Sequence, residues 1–427
     1  MFVAVQGPSS HARAPGAPPP VRPPLAAAWS RGQGAGTAAG VGRPLPAELG
    51  SYQLFDTVGR GGMADLYVAR DRRPDGCGRT VVIKEVRGSR PVERRLSRLL
   101  LREAALIARL EHPNIVQVED WQRTSDGSYA VLEYVEGLDL RELLRIAAAR
   151  GTWPPFEHTL LIVQAVLAGL AHTHRRRDAR GAPLDIVHRD VSPANVLLSF
   201  DGQVKLCDFG IASWAADDPA ELCTVEGKAG YMSPEQARGL AADERADLFA
   251  VGIILWELCS ARRMYRPSGD QSLLEVAQRA VVPPLVAQGI PRTTTFRAIL
   301  KRALAPAVAD RYPSAEAFLA DLVAYGEEAG IQPSRRDFGR WMRASFGYEP
   351  MVLRRRARER ALAALDQGPA WVARPLFDDR APDLAQGRQP PSWPEPRGPS
   401  KVAGLSVLLV HALLAAALVF GLLWLLV

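Results

Sequence analysis

Two short polar motifs that lie close together constrain this chain of 427 residues more than any other feature of its sequence. The first runs from His188 to Asn195 and reads His-Arg-Asp-Val-Ser-Pro-Ala-Asn; the second, Cys-Asp-Phe-Gly, spans 207–210. Together they supply the carboxylates of Asp190 and Asp208 and the amide of Asn195. Oxygen ligands of this kind suit Mg²⁺, and a carboxylate can accept the proton of a hydroxyl group. We therefore expect a fold that gathers these side chains around a divalent cation and a substrate hydroxyl.

A glycine-rich turn precedes these motifs, between two segments typical of strands at 52–58 and 80–86. Gly59, Gly61 and Gly62 allow the backbone to close over phosphate groups and to present its N–H groups without obstruction by side chains. Taken alone, such a turn is weak evidence, because many glycine-rich turns bind nothing.

In their order along the chain, these features resemble the bacterial Hanks-type (eukaryotic-like) serine/threonine protein kinases over about residues 52–325. The resemblance implies an α+β, bilobal protein-kinase fold, with a small β-rich amino-terminal lobe and a large helical carboxy-terminal lobe. It extends to the segment 233–235 and implies that Glu235 pairs with Arg311. It also implies that Asp247 is buried and braces the catalytic loop.

The same resemblance assigns roles to the site residues, with ATP and Mg²⁺ as cofactors. Asp190 would accept the proton of the substrate hydroxyl, and Lys84, paired with Glu103, would hold the α- and β-phosphates. Asn195 and Asp208 would bind Mg²⁺. The backbone of the segment around Glu133 and Val135 would bind adenine. The predicted nucleotide-binding residues are Gly59, Arg60, Gly61, Gly62, Val68, Lys84, Glu103, Glu133, Val135 and Leu197.

One departure from the family pattern concerns two positions. The family usually has lysine where Ser192 stands, and threonine in the activation segment where Lys228 stands. We hypothesise that Lys228 reaches back toward Asp190 and the γ-phosphate, so that one positive charge remains in the site. Lys228 is therefore counted among the predicted catalytic residues. The alternative is that Lys228 points to solvent and the site works less well.

Three functions compete at this point. The first is an active kinase that phosphorylates protein serine and threonine, a preference that rests on Pro193 and the overall resemblance. The second is a pseudokinase that serves as a membrane-anchored binding scaffold. The third, phosphotransfer to a small molecule of the aminoglycoside type, fits poorly with the long activation segment.

Autophosphorylation is also expected. Thr224 is the best candidate for the phosphorylated residue, which Arg189 would bind, and a homodimer would allow the reaction in trans.

Composition divides the rest of the chain. The predicted regions are a disordered Pro/Ala/Gly-rich arm at 1–50, the kinase domain at 51–326, a basic helical extension at 327–366, a proline-rich linker at 367–400 and a transmembrane helix at 402–427. The densest basic run, 354–360, has two open interpretations: it rests on anionic lipid headgroups, or it is a solvated helix face.

The apolar run at 402–427 has no charged residue. As a helix it would be about 39 Å long, which exceeds the ~30 Å of a hydrocarbon core; a buried core helix is the alternative. Arg397 and Lys401 precede the run and nothing follows it, so the positive-inside bias places the kinase domain in the cytoplasm. We expect a single-pass tail anchor in the cell inner membrane, with the lipid bilayer as a partner.

The net charge of +7 raises the question of nucleic acid. Arginine dominates the basic content, with only five lysines, and no basic groove with interleaved aromatic residues is evident. We therefore expect no nucleic-acid partner.

The four cysteines show neither metal-ligand spacing nor a paired framework. Cys207 is either a reactive thiol or, as we favour, a small buried residue.

Overall fold

The computed structural model of the protein describes residues 43–365, apart from short internal gaps. The gaps are 61–63, 75–77, 88–90, 126, 179, 210–227 and 287–288. Residues 1–42 of the predicted arm, the proline-rich linker and the apolar run at 402–427 lie outside the described residues. The end of the arm, predicted as disordered up to residue 50, is instead part of the fold, because Ala47–Leu49 form a strand that pairs with 52–54. In the part of the chain that is described, no helix is both long enough and apolar enough to cross a membrane.

A six-stranded antiparallel sheet forms the amino-terminal lobe, in the strand order β1-β2-β3-β4-β6-β5. The strands are β1 (Ala47–Leu49), β2 (Tyr52–Arg60), β3 (Asp65–Asp71), β4 (Thr80–Arg87), β5 (Val118–Thr124) and β6 (Gly127–Glu133). Tyr67, Ile83 and Val131 are fully buried together on one face of the sheet. On the other face, Lys84 lies opposite Leu66 of the neighbouring strand. The strands predicted on either side of the glycine-rich turn are confirmed as β2 and β4.

Helix α1 (Pro91–Ile107) packs against this sheet. Ala104 and Ile107 belong to an apolar stripe at helical spacing, and both are buried in the main core of the molecule. Because this stripe fixes the rotation of the helix about its axis, Glu103 is turned toward β4, where it meets Lys84.

The carboxy-terminal lobe is mainly helical, and the bilobal α+β fold expected from the sequence is confirmed. Its first helices are α2 (Leu140–Arg150), α3 (Phe156–His174), α4 (Pro234–Ala237), α5 (Glu244–Ser260), α6 (Leu273–Arg279), α7 (Thr293–Ala303) and α8 (Ala315–Glu328). Helices α3 and α5 are apolar on nearly every side, as expected of helices enclosed by other elements. The strands β7 (Gly137–Asp139), β8 (Val196–Ser199) and β9 (Val204–Leu206) form a small antiparallel sheet beside α3.

Two more helices, α9 (Arg335–Phe346) and α10 (Pro350–Leu365), follow the large lobe. The predicted basic run at 354–360 belongs to α10. Arg355 and Arg358 of this run are buried against the amino-terminal lobe. Both interpretations of the run, lipid headgroups and a solvated face, are therefore wrong for these two side chains.

A buried ion pair connects α4 with the segment that follows α7. The guanidinium of Arg311 donates to both carboxylate oxygens of Glu235 at 2.7 Å, as predicted. It also donates to the backbone carbonyls of Ala305 and Pro306. Burial works to raise the pKa of Glu235, but its hydrogen bonds with Arg311 outweigh that effect, so the pKa lies below its usual value.

Replacing Arg311 by methionine should therefore lower the free energy of unfolding by about 3–5 kcal/mol, because it leaves the Glu235 carboxylate buried without its counter-charge. Urea denaturation at neutral pH measures this loss. The matched control is Arg145→Met, which removes a largely exposed pair with Glu142 on α2 and should cost at most about 1 kcal/mol. Equal losses in the two variants would contradict the structural role given to Arg311.

Candidate active site

The carboxylate of Asp247, in the first turn of α5, supports the catalytic loop. One oxygen accepts hydrogen bonds from the N–H of His188 at 2.8 Å and from the ring of His174 at 2.9 Å, and the other accepts from the N–H of Arg189 at 2.7 Å. Asp247 is almost wholly buried, so these three bonds replace its hydration. They also hold Arg189 at φ +63°, a conformation that a residue other than glycine rarely adopts. The predicted bracing role is confirmed.

Asn195 connects the two polar motifs. The side-chain amide of Asn195 donates to the backbone carbonyl of Asp190 at 2.7 Å. The backbone carbonyl of Asn195 accepts from the N–H of Cys207 at 2.9 Å. A single 3₁₀ turn, Pro193–Asn195, sets this arrangement. The catalytic loop is thereby joined to Cys207, the residue directly before Asp208. This link brings Asp190, Asn195 and Asp208 into one cleft.

Lys84 lies between two carboxylates in this cleft. Its ammonium is 3.1 Å from Oε1 of Glu103 and 3.1 Å from Oδ1 of Asp208. Burial lowers the pKa of Lys84, but the charges of Asp208 and Glu103 outweigh that effect and hold the pKa well above its ordinary value. Lys84 therefore carries a permanent positive charge, and its predicted pairing with Glu103 is confirmed.

The ring of His188 fills the space between the motifs. It hydrogen-bonds the carbonyl of Cys207 at 3.1 Å and packs on Phe209 with ring centroids 4.5 Å apart. Burial lowers the pKa of His188, so the imidazole is neutral at pH 7 and supports the loop without carrying a charge. Burial also raises the pKa of the Cys207 thiol well above its usual range, which favours the inert thiol over the reactive one.

Residues 134–136, which connect the two lobes, follow β6 where the sequence predicts the adenine-binding segment, and Val135 lies within them. One contact here was not predicted. Oε1 of Glu133 accepts from the ammonium of Lys205 and from the N–H of Gln117, both at 2.7 Å. Lys205 lies on β9, so this pair ties the connection to the small sheet that leads to the metal-binding motif.

The roof of the cleft differs from the prediction at Val68. Cross-strand neighbours share a face, and the pairs Leu66–Lys84 and Val68–Val82 therefore all face the cleft side. Leu66 and Val82 are half-buried, whereas Val68 is fully buried in a cluster with Leu362 of α10. Since α10 covers the surface that the prediction gave to the nucleotide, Val68 is corrected to Leu66. Leu66 and Val68 lie two residues apart and share a face of β3, so the alternation of the strand does not distinguish them. No local feature of β3 indicates that α10 would cover Val68.

The remaining predicted nucleotide-binding residues are placed as follows. Gly59 and Arg60 end β2, and an added methyl group at Gly59 would meet no atom of the described residues within 4 Å. Leu197 is half-buried in the middle of β8. The side chain of Arg60, and Gly61 and Gly62 entirely, lie outside the described residues.

The exchange between Ser192 and Lys228 stays a prediction. Ser192 directly precedes the 3₁₀ turn, and its carbonyl accepts from the N–H of Asn195 at 3.0 Å. The backbone of Lys228 begins another 3₁₀ turn, Lys228–Tyr231. Its side chain lies outside the described residues, as does Thr224 of the activation segment.

The donor atoms near Asp208 fit Mg²⁺. The nitrogen of the Asn195 amide is committed to the Asp190 carbonyl, which leaves its oxygen for a cation, and the Asp208 side chain is 37% exposed. Mg²⁺ usually takes only one or two protein oxygens and completes its shell with water and phosphate oxygens. These two residues would therefore hold the cation of a bound nucleotide.

Comparison with known proteins agrees with this geometry. A family model described as "Protein kinase domain" matches residues 52–323. The tyrosine-protein kinase MasK of Myxococcus xanthus is 34% identical over 315 residues, which cover 73% of this chain and 49% of that protein. The serine/threonine-protein kinase PknL of Mycobacterium tuberculosis is 37% identical over 306 residues, covering 70% and 71% of the two chains.

The serine/threonine-protein kinase PrkC of Bacillus subtilis is 34% identical over 274 residues, which cover 64% of this chain and 40% of that protein. The chain thus spans half or less of the length of several relatives that it matches. The family model covers well over half of this chain, and its bounds enclose all the site residues described above. The chain therefore belongs to the protein kinase family.

Proposed function

We propose that this protein transfers the γ-phosphate of ATP to serine and threonine hydroxyls of proteins. The observation that carries the proposal is the position of Lys84, which binds both Glu103 and Asp208 in the cleft that also contains Asp190. Phosphoryl transfer depends on positioning and charge neutralisation more than on covalent chemistry. When bound, the magnesium complex of ATP supplies the transferable phosphoryl group.

Each polar group then has a distinct task. The fixed charge of Lys84 neutralises the phosphates, and Asn195 and Asp208 hold the cation. Asp190 orients the acceptor hydroxyl and takes its proton, while the buried Asp247 keeps the catalytic loop in position. A pseudokinase scaffold is the alternative, and the retention of every one of these groups argues against it.

The preference for serine and threonine as acceptors rests on Pro193 and on the names of the relatives. Pro193 follows the pattern of the serine/threonine kinases, and PknL and PrkC bear that name, whereas MasK is named a tyrosine kinase. We favour serine and threonine, with autophosphorylation of the activation segment in a homodimer. The identity of the phosphorylated amino acid is therefore part of the test below.

We further propose that the apolar run at 402–427 anchors the protein in the cell inner membrane as a single span, with the kinase domain in the cytoplasm. Its length, its lack of charge and the basic residues Arg397 and Lys401 before it support this location.

Asp190→Asn should lower phosphate incorporation from labelled ATP and Mg²⁺ by at least about 100-fold, because general-base assistance is lost. Binding of a fluorescent ATP analogue should not change. Asp270→Asn, at an exposed position of the large lobe, is the matched control and should retain activity. Phosphoamino-acid analysis of the product should give phosphoserine and phosphothreonine. Equal incorporation by Asp190→Asn and the control would rule out the proposed function.

Lys228→Met should lower kcat by about 100-fold if Lys228 replaces the missing lysine at position 192, since one cation beside the γ-phosphate is removed. Lys301→Met, at an exposed lysine of α7, is the control and should leave kcat unchanged. Steady-state phosphorylation of a protein substrate measures both. Full activity of Lys228→Met would mean that this lysine points to solvent.

Removal of residues 402–427 should move the protein from the membrane pellet to the supernatant, because the uncharged, mainly apolar segment is no longer there to insert. Ultracentrifugation and alkaline carbonate extraction measure this change. Removal of residues 1–42 is the control and should leave the protein in the pellet. A full-length chain that is extracted by carbonate as readily as the shortened chain would exclude the membrane span.

A further inference from the structure

The carboxylate of Asp56, in the middle of β2, is completely buried and faces three arginines of α10. Arg358 lies 2.7 Å from it, Arg355 3.2 Å and Arg354 3.6 Å. The Asp56 side chain is 0% exposed and that of Arg358 only 3%, so these charges have exchanged water for each other. A buried carboxylate requires such partners, and breaking the set leaves an uncompensated charge.

An apolar contact lies beside this ion cluster. Ala361 and Leu362, one turn further along α10, pack with Phe55 of β2 and Val68 of β3. Leu362, Phe55 and Val68 are each fully buried. The helix therefore adheres to the small lobe through both charge and packing, on a face that includes strands of the nucleotide cleft.

The same helix also contacts the connection between the lobes. Arg356 donates to the carboxylate of Glu136 at 2.7 Å, and the guanidinium of Arg355 lies over the ring of Tyr134. One turn further along the same face of the helix, Glu359 accepts a hydrogen bond from the hydroxyl of Thr80 at the start of β4. Helix α10 thus fastens β2, β4 and residues 134–136 to one another.

Helix α9 holds the other end of this extension on the large lobe. A methyl group at Gly339 would come within 3.0 Å of the backbone at 201–202, so only glycine allows this close approach. Arg343 donates to the carbonyl of Phe200, and Glu349, between the two helices, pairs with Arg150 of α2 at 2.6 Å. Residues 334–365 therefore touch both lobes.

We propose that residues 334–365 form an intramolecular clamp that sets the position of the small lobe over the nucleotide site, and that Asp56 is the positioning residue that locks it. The clamp grips β3 at Val68, whose cross-strand partner is Val82, and β4 carries Lys84 two residues farther on. Releasing α10 frees these strands to move away from the metal-binding motif, which weakens nucleotide binding. The inference rests on the nucleotide site of the proposed function.

The test compares two arginines of the same helix in the full chain. Arg358→Ala removes the closest partner of Asp56, whereas Arg360→Ala removes an exposed arginine that donates to the carbonyl of Arg356 in its own helix. Direct titration with a fluorescent ATP analogue and Mg²⁺ measures Kd without requiring phosphate transfer. Arg358→Ala should raise Kd, and the KM for ATP, by about tenfold with little change in kcat, and Arg360→Ala should change none of them.

Leu362→Ala is an independent variant at the apolar contact, and it should raise Kd in the same way. The Arg358→Ala/Leu362→Ala double variant should bind no more weakly than the single variants, because the helix has already left the sheet. Arg358→Lys, which keeps a cation opposite Asp56, should recover much of the affinity. A folded Arg358→Ala protein that binds the analogue as tightly as Arg360→Ala would overturn the proposal, as would a lower unfolding midpoint with an unchanged Kd.

Amide hydrogen exchange on the unaltered protein gives a test that does not depend on the folding of any variant. Because coupling between sites is reciprocal, bound analogue should slow exchange in 350–365; unchanged exchange there contradicts the clamp. Failure of the unaltered protein to bind the analogue contradicts the proposed function instead. In that case the clamp is tested by hydrogen exchange of the Arg358→Ala variant. Faster exchange at 134–136 as well as in α10 supports the clamp, and unchanged exchange at 134–136 rejects it.

Discussion

The carboxylate of Asp247 is the point on which the active-site geometry depends. It is buried in the first turn of α5, where no water replaces a lost hydrogen bond, and it is satisfied by two consecutive backbone N–H groups and one imidazole. Those two N–H groups belong to His188 and Arg189, so the carboxylate fixes the backbone conformation just before Asp190. Arg189 is thereby held in a strained, left-handed conformation.

From that point, the site is assembled by short-range links between segments that are far apart in the sequence. Asn195 joins the catalytic loop to Cys207, and Lys84 joins Asp208 to α1 through Glu103. Each link is made by a charged group or an amide in a place with little water, where a polar group without a hydrogen-bond or ion-pair partner destabilises the fold. The described part of the site is therefore held in place by paired charges and satisfied amides, to which the proposed nucleotide and cation would add theirs.

Most of this arrangement could be predicted from the sequence, because its residues occur in motifs whose order and spacing are characteristic. Lys84 with Glu103, and Glu235 with Arg311, are such pairs. Asp56 is different. It lies in an ordinary strand, and nothing local indicates that a carboxylate there would be buried against residues some 300 positions later.

The arginines of α10 are misleading for a related reason, since a dense basic run usually faces water or anionic surfaces. The spacing of Arg355 and Arg358 places them on one helix face with Leu362, and that was the available signal. It indicates a buried face but not its partner. The covering of Val68 follows from the same long-range docking and could not be read from β3 alone.

The docking of α10 also decides where the described chain leaves the catalytic unit. At its beginning, Arg43 is paired with Glu85 on β4, and at its end α10 lies on β2 and β3, so the described chain both begins and ends on the small lobe. A mechanical load applied at either end of the described chain is delivered first to the sheet that bears Lys84. The load then passes to the large lobe through residues 134–136, the contacts of α9 and the ion pairs that join Lys84 to Asp208 and Glu133 to Lys205. The small sheet is thus the element through which tension would reach the cleft.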